Sequence, residues 1–216
     1  MRTILVLSLV LIGLLPGTPA RAADTRPVIL VLGDSLSAGY GIPVDQGWVA
    51  RLQKRLNDEG YGYSVVNASV SGETTGGALV RLPRALKIHQ PAIVIVELGG
   101  NDGLRGFPPD IMKTNLRAII ETARASGAAV VLLGIRIPPN YGPRYTQAFE
   151  GVYRDLAAEM GVPWIEFFMD GIALNDSLLQ DDGIHPNAEA QPMLLDNAWP
   201  IIEQTLSGHL GRSSSD

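Results

Sequence analysis

The chain has 216 residues, 46% of them hydrophobic and 18% charged, with a formal net charge of −5 and no cysteine. That length and apolar content suit one domain with a sizeable core, and the missing cysteines exclude disulfides, thiolate metal sites and a cysteine nucleophile. An acidic chain without a basic run is a poor candidate for binding nucleic acid.

Residues 1–22 carry the marks of a secretory signal peptide: Arg2 as the positive start, an apolar stretch from residue 4 to 15, and Ala20-Arg21-Ala22 as a small-x-small cleavage site. The stretch is shorter than the roughly 20 apolar residues a membrane crossing needs. The mature chain is expected to begin near Ala23, in the periplasm or outside the cell, as a domain over 23–216. Loss of Arg2 and Arg21, with no acid removed, takes its formal charge from −5 to −7. No later apolar run is long enough to be a transmembrane segment.

Five short apolar runs follow, at residues 28–32, 64–67, 93–98, 130–135 and 162–167. The first is continuous, three of its five residues are β-branched, and it ends in Gly33-Asp34-Ser35; such a run reads as a strand buried on both faces. Between the runs lie helical patterns at 48–57, 78–88, 111–125 and 145–160. In the first of these Trp48, Val49, Leu52 and Leu56 form an apolar stripe opposite Arg51, Lys54 and Arg55. Gly60 and Gly161 stop the first and last helices. Strands alternating with helices of this length predict βαβ units and an α/β fold: a five-stranded parallel sheet with helices on both faces, a flavodoxin-like three-layer sandwich. Two loops at the carboxyl edge stand out, Gly103 to Pro109 with glycines flanking an apolar tip, and Pro138 to Pro143, rigid with prolines. The first would suit a loop that moves over a ligand. The polar residues 208–216 are expected to fray.

In open α/β sheets ligands bind beyond the carboxyl ends of the strands. Ser35 is placed there, and so are Gly72, Asn101 and His185. Acyl transfer needs a nucleophile, a base, a group to orient the base, and donors for an oxyanion. His185 is the base by context and by elimination, since His89 falls at the amino end of the sheet and His209 in the polar tail. Asp182, three residues before His185 across Gly183, can curl back to the imidazole; Asp181 competes for that place, with Asp176 and Asp170 behind it. Asn101 can offer its side-chain amide, Gly72 a bare N–H, and Ser35 its own N–H. A metal-dependent phosphoesterase built on Asp34, Asp102, Asp182 and His185 is one rival reading, and a lipid carrier without catalysis is another.

Gly33-Asp34-Ser35-Leu36-Ser37 lacks the second glycine of a Gly-x-Ser-x-Gly nucleophile elbow, so the chain is not a typical α/β-hydrolase. Its four stretches, centred on Ser35, Gly72, Asn101 and His185, instead resemble the four blocks of the SGNH/GDSL hydrolase superfamily, with Asp182 at the position of the acid. Gly33-Asp34-Ser35-Leu36-Ser37-Ala38-Gly39-Tyr40, Ser71-Gly72-Glu73-Thr74, Glu97-Leu98-Gly99-Gly100-Asn101-Asp102, Pro138-Pro139-Asn140-Tyr141-Gly142 and Asp182-Gly183-Ile184-His185-Pro186-Asn187 look like the bacterial TesA-type subgroup. That resemblance implies a periplasmic acyl-CoA thioesterase, lysophospholipase and arylesterase working through an acyl-enzyme, with Ser35, Asp182 and His185 as triad and Ser35, Gly72 and Asn101 as oxyanion hole. It implies no cofactor and no metal. The expected partner is a small acyl ester or thioester, a lysophospholipid among the candidates, and the chain is expected to be a monomer. Leu104, Phe107, Ile137, Pro138, Pro139 and Tyr141 supply apolar surface at the same edge and are the candidate acyl-binding residues; the plainer alternative is that they pack their loops onto the sheet.

Overall fold

A computed structural model describes residues 26–213; the signal-peptide reading of residues 1–22 lies outside the described residues. Five strands form one parallel sheet in the order β2-β1-β3-β4-β5: β1 Val28–Gly33, β2 Ser64–Asn67, β3 Ile93–Glu97, β4 Ala129–Leu133 and β5 Trp164–Ile165. The expected three-layer α/β architecture is what the chain adopts. Strands β1 and β3 lie side by side in the middle, and Ile29 to Leu32 and Ile93 to Val96 have no exposed surface. Unbroken β-branched and leucine runs form such strands because both faces must be covered.

Helix α2 (Trp48–Asp58) covers one face together with α7 (Gln191–Ser213), and α3 (Thr75–His89), α5 (Pro109–Ala125) and α6 (Pro143–Met160) cover the other. Caps set several of their ends. The Thr74 hydroxyl accepts the Gly77 N–H at 3.2 Å to open α3, and Pro109 starts α5 where no N–H is needed. Gly161, left-handed at φ +58°, closes α6 by donating its N–H to Ala157.

Three expectations need correction. The fifth strand is two residues long rather than six. Val162 gives its N–H to Ala157 at the end of α6, Pro163 has none to give, and beyond Ile165 only single bonds through Gly134 join the chain to β4. Of residues 208–216, expected to fray, 208–213 continue α7 and His209 meets the Tyr63 hydroxyl at 3.3 Å, while 214–216 lie outside the described residues. Gly103 begins no loop either, because Gly100–Leu104 forms a short helix, α4. Among the described residues no helix is long and apolar enough to cross a membrane.

Candidate active site

The order β2-β1-β3 places three carboxyl-end loops side by side, with the central one carrying Ser35. Ser35 is the first residue of α1 (Ser35–Ala38), a single turn whose cap is Asp34. The Asp34 carboxylate accepts the Leu36 N–H at 3.0 Å through Oδ1 and the Asn101 Nδ2–H at 3.1 Å through Oδ2. One bond holds the nucleophile turn, the other holds the amide from the neighbouring loop. Asn101 thereby keeps a second Nδ2–H to offer. Neither the Ser35 N–H nor the Gly72 N–H donates to a protein acceptor among the described residues.

The Gly72 and Asn101 loops are tied to each other. Asp102, buried, accepts the Thr75 hydroxyl at 2.6 Å and the Thr75 N–H at 2.9 Å, while Arg105 donates to the Gly72 carbonyl at 2.9 Å. Donors held on two cross-linked loops are already oriented before charge develops, which is what oxyanion stabilisation requires.

From the far side of the sheet, the loop before α7 brings His185. Its Nε2 lies 2.9 Å from Ser35 Oγ, and its Nδ1 lies 2.6 Å from Asp182 Oδ2. Asp182 Oδ1 accepts the backbone N–H groups of Ile184 and His185, both at 2.9 Å. Those bonds, the His185 N–H first and its ring next, hold the Asp182 carboxyl down at about 2. A carboxylate so fixed keeps the imidazole proton on Nδ1 and leaves Nε2 to accept from Ser35. Asp182, not Asp181, is the residue beside the ring; Asp170, Asp176 and Asp181 make no bond to it.

Of the groups a metal site would need, Asp34 and Asp102 already serve Asn101 and Thr75, and no three His, Asp or Glu side chains gather among the described residues. The acyl-pocket candidates divide. Tyr141 Oη donates to the Leu104 carbonyl at 2.8 Å, so the two loops form one surface, with Phe107, Pro138 and Tyr141 exposed along it and Leu104 half-buried. Ile137 lies beneath, buried against Gly103, where a Cβ would come within 2.6 Å of Ile137 Cγ2 and 2.7 Å of Phe149. Gly103 is therefore a close-packing glycine and not a hinge.

Glu97, at the end of β3, was not singled out in the sequence. It is fully buried, and its Oε2 accepts the Ser37 hydroxyl at 2.6 Å and the Asp34 N–H at 3.4 Å, while Oε1 has no partner. Burial, and then the charge of Asp34, raises its carboxyl well above the ordinary range. Burial also pushes Asp34 up to about 6, against the Leu36 and Asn101 hydrogen bonds. The only signal in sequence was an acidic residue inside an otherwise apolar strand.

The two signs of shift predict a stability profile. The folded state binds the Asp34 proton more tightly than the open chain, whose value is 3.8, so stability falls as pH rises from about 4 to about 6. Glu97, displaced in the same direction, adds to that loss as pH rises. Asp182 acts oppositely: its contribution is present above 3.8 and is lost as pH falls towards 2. Thermal unfolding should therefore be resisted most near pH 4. In Glu97→Gln the decline of Tm with rising pH should be shallower, and an unchanged slope would remove Glu97 as a source of it.

Residues 31–191 match the model of the GDSL-like lipase/acylhydrolase family. The chain belongs to that family. It is 52% identical over 189 residues to the esterase TesA of Pseudomonas aeruginosa, covering 88% of this chain and 92% of that one. It is 50% identical over 177 residues to thioesterase 1/protease 1/lysophospholipase L1 of Escherichia coli K12, covering 82% of each. Among solved structures, the psychrotrophic esterase EstA of a Pseudoalteromonas species, inhibited by monoethylphosphonate, superposes with a TM-score of 0.80 at 44% identity, over 83% of this chain and 98% of that one.

Proposed function

We propose that the protein is an exported serine hydrolase that cleaves esters and thioesters of acyl chains, with Ser35, His185 and Asp182 as its triad. The observation that carries this reading is the unbroken relay from Asp182 Oδ2 through both ring nitrogens of His185 to Ser35 Oγ. A carrier protein has no use for such a relay, whereas acyl transfer needs every link. Family membership and the relatives' names, esterase and thioesterase/lysophospholipase, agree with it.

Ser35 Oγ attacks the acyl carbon as His185 Nε2 takes its proton. The carbonyl oxygen becomes an oxyanion facing the Ser35 and Gly72 N–H groups and the free Asn101 Nδ2–H. Collapse breaks the C–O or C–S bond, the leaving group takes the proton from His185, and the acyl chain stays on Ser35. Water then attacks with His185 as base, the acid departs and Ser35 recovers its proton. Protein groups and water complete the proton balance, and the same steps serve both leaving groups.

The role of Asn101 has a kinetic signature. Asn101→Ala should lower kcat about 100- to 1,000-fold with little change in KM, because the lost bond exists only as charge develops. A loss confined to KM would make Asn101 a ground-state binding group instead.

The apolar surface of Leu104, Phe107, Pro138 and Tyr141, floored by Ile137, is the acyl groove in this reading. Each buried CH2 contributes up to about 0.8 kcal/mol, so kcat/KM should climb with acyl length until the groove is filled. A panel of esters and thioesters of increasing chain length, assayed on purified protein lacking residues 1–22, tests the reading. Chain-length preference abolished in Phe107→Ala and Tyr141→Ala supports the groove; equal losses on acetyl and long-chain esters would show these side chains to be packing only. Cleavage of the leader and residence in the periplasm or beyond are tested by the amino-terminal sequence of the protein recovered from each cell fraction.

A further inference from the structure

Tyr40 is half exposed, its hydroxyl makes no hydrogen bond among the described residues, and yet the chain around it is closely constrained. Gly39 and Gly41 on either side are left-handed, at φ +73° and +75°, a conformation that side chains disfavour. The Tyr40 N–H donates to the Ser35 carbonyl at 3.2 Å. Its own carbonyl accepts Gln180 Nε2–H at 2.7 Å, and Gln180 is packed so closely on Gly41 that a Cβ there would collide with its amide. Gln180 also donates to the Pro186 carbonyl at 3.1 Å, and its N–H to the His185 carbonyl at 2.8 Å. The nucleophile turn and the histidine loop are thus fastened together at the point where Tyr40 projects. Its ring lies against the imidazole of His185, with centroids 4.5 Å apart and planes inclined at 41°.

We propose that Tyr40 is a positioning residue whose aromatic face holds the His185 ring in line with Ser35 and favours the imidazolium that forms when His185 takes the serine proton. The proposal rests on the reading of His185 as the base. An aromatic ring carries negative potential on its face and attracts a cation within about 6 Å. Neutral imidazole gains little from that field and imidazolium gains more, so the contact is stronger in the transition state than before it, which is the condition for raising kcat. Other charged groups face the ring as well: Asp182 from its own loop and Asp34 from the cap of α1. Both favour the cation, and Tyr40 adds an aromatic contact to them. The hydroxyl takes no part; the face of the ring does.

The test is a series at position 40, measured with an acetyl aryl ester and an acyl thioester. Tyr40→Phe should retain activity on both substrates. Tyr40→Leu should lose about 3- to 10-fold in kcat on both, from the lost cation contact together with a less restrained imidazole, and the acid limb of its kcat/KM profile should move to lower pH. Phenylalanine carrying one, two and three ring fluorines keeps the shape while draining the negative face, and log kcat should fall stepwise along it; this arm holds even if Tyr40→Leu fails to fold. Full activity in Tyr40→Leu, a flat fluorine series, or losses confined to KM or to one leaving group would overturn the proposal, the last pair by making Tyr40 a substrate contact. Failure of the underlying reading looks different, since the unaltered protein would then itself leave both substrates uncleaved.

Discussion

Ser35→Ala is expected to lower kcat on an aryl ester by about 10⁴- to 10⁶-fold, with little effect on folding. The hydroxyl has one partner, His185 Nε2 at 2.9 Å, and no backbone group depends on it. Alanine is tolerated in the first turn of a helix, and the cap of α1 is made by Asp34 rather than by Ser35. What is lost is the nucleophile, and with it the acyl-enzyme path. What stays is the oxyanion hole, which alone supplies a residual acceleration of about 10³- to 10⁴-fold over water. KM for the residual reaction should be little changed, because Ser35 binds no part of the ground-state substrate that Ala cannot accommodate. Activity within tenfold of the unaltered protein would exclude Ser35 as the nucleophile.

Asp182→Asn should cost about 10³- to 10⁴-fold in kcat, on the logic of tautomer control, and the local hydrogen bonds dictate why an amide cannot substitute. Oδ1 accepts two backbone N–H groups, those of Ile184 and His185. An asparagine there must keep its oxygen on those donors, which turns its NH2 towards His185 Nδ1. The ring then carries its proton on Nε2 and donates to Ser35 instead of accepting from it. The loop keeps its shape and the relay runs backwards. Asp182→Ala should lose a similar amount while also loosening the 182–185 turn, so the two variants should differ more in Tm than in kcat. If Asp181→Asn were the damaging change and Asp182→Asn silent, the assignment of the acid would be wrong.

The catalytic constellation was legible in sequence because each of its members sits within a few residues of a strand's carboxyl end, and a parallel sheet gathers those ends at one edge. Asp182 could be preferred to Asp181 because a three-residue loop across Gly183 closes on the ring, and the structure shows that closure. Long-range partners were not legible. Glu97 was read as one more position in an apolar strand; only the pairing of Gly33 with Glu97 in the sheet reveals that it faces Ser37 and Asp34. Thr75 and Asp102 are 27 residues apart, and neither announces the other. Helix α7 was missed although Leu194, Leu195, Ala198, Trp199, Ile202 and Leu206 keep a helical period and are all buried. Pro192 and Pro200 obscured it, yet Pro192 falls in the first turn, where its missing N–H costs nothing. The fifth strand was read too long for the opposite reason: its composition is apolar apart from Glu166, but at its start Val162 is occupied by the end of α6 and Pro163 cannot donate.

The most direct measurement on the assignment of Ser35 is covalent labelling with an aryl phosphonate, followed by mass spectrometry of the peptides. A phosphonate mimics the tetrahedral intermediate and is attacked by an activated serine in place of the acyl carbon. One equivalent should attach to the peptide bearing Ser35, activity should vanish in proportion to the label, and His185→Ala should react far more slowly because its serine is no longer activated. Complete inactivation with the adduct on any other residue, or full labelling of Ser35 with activity retained, would contradict it.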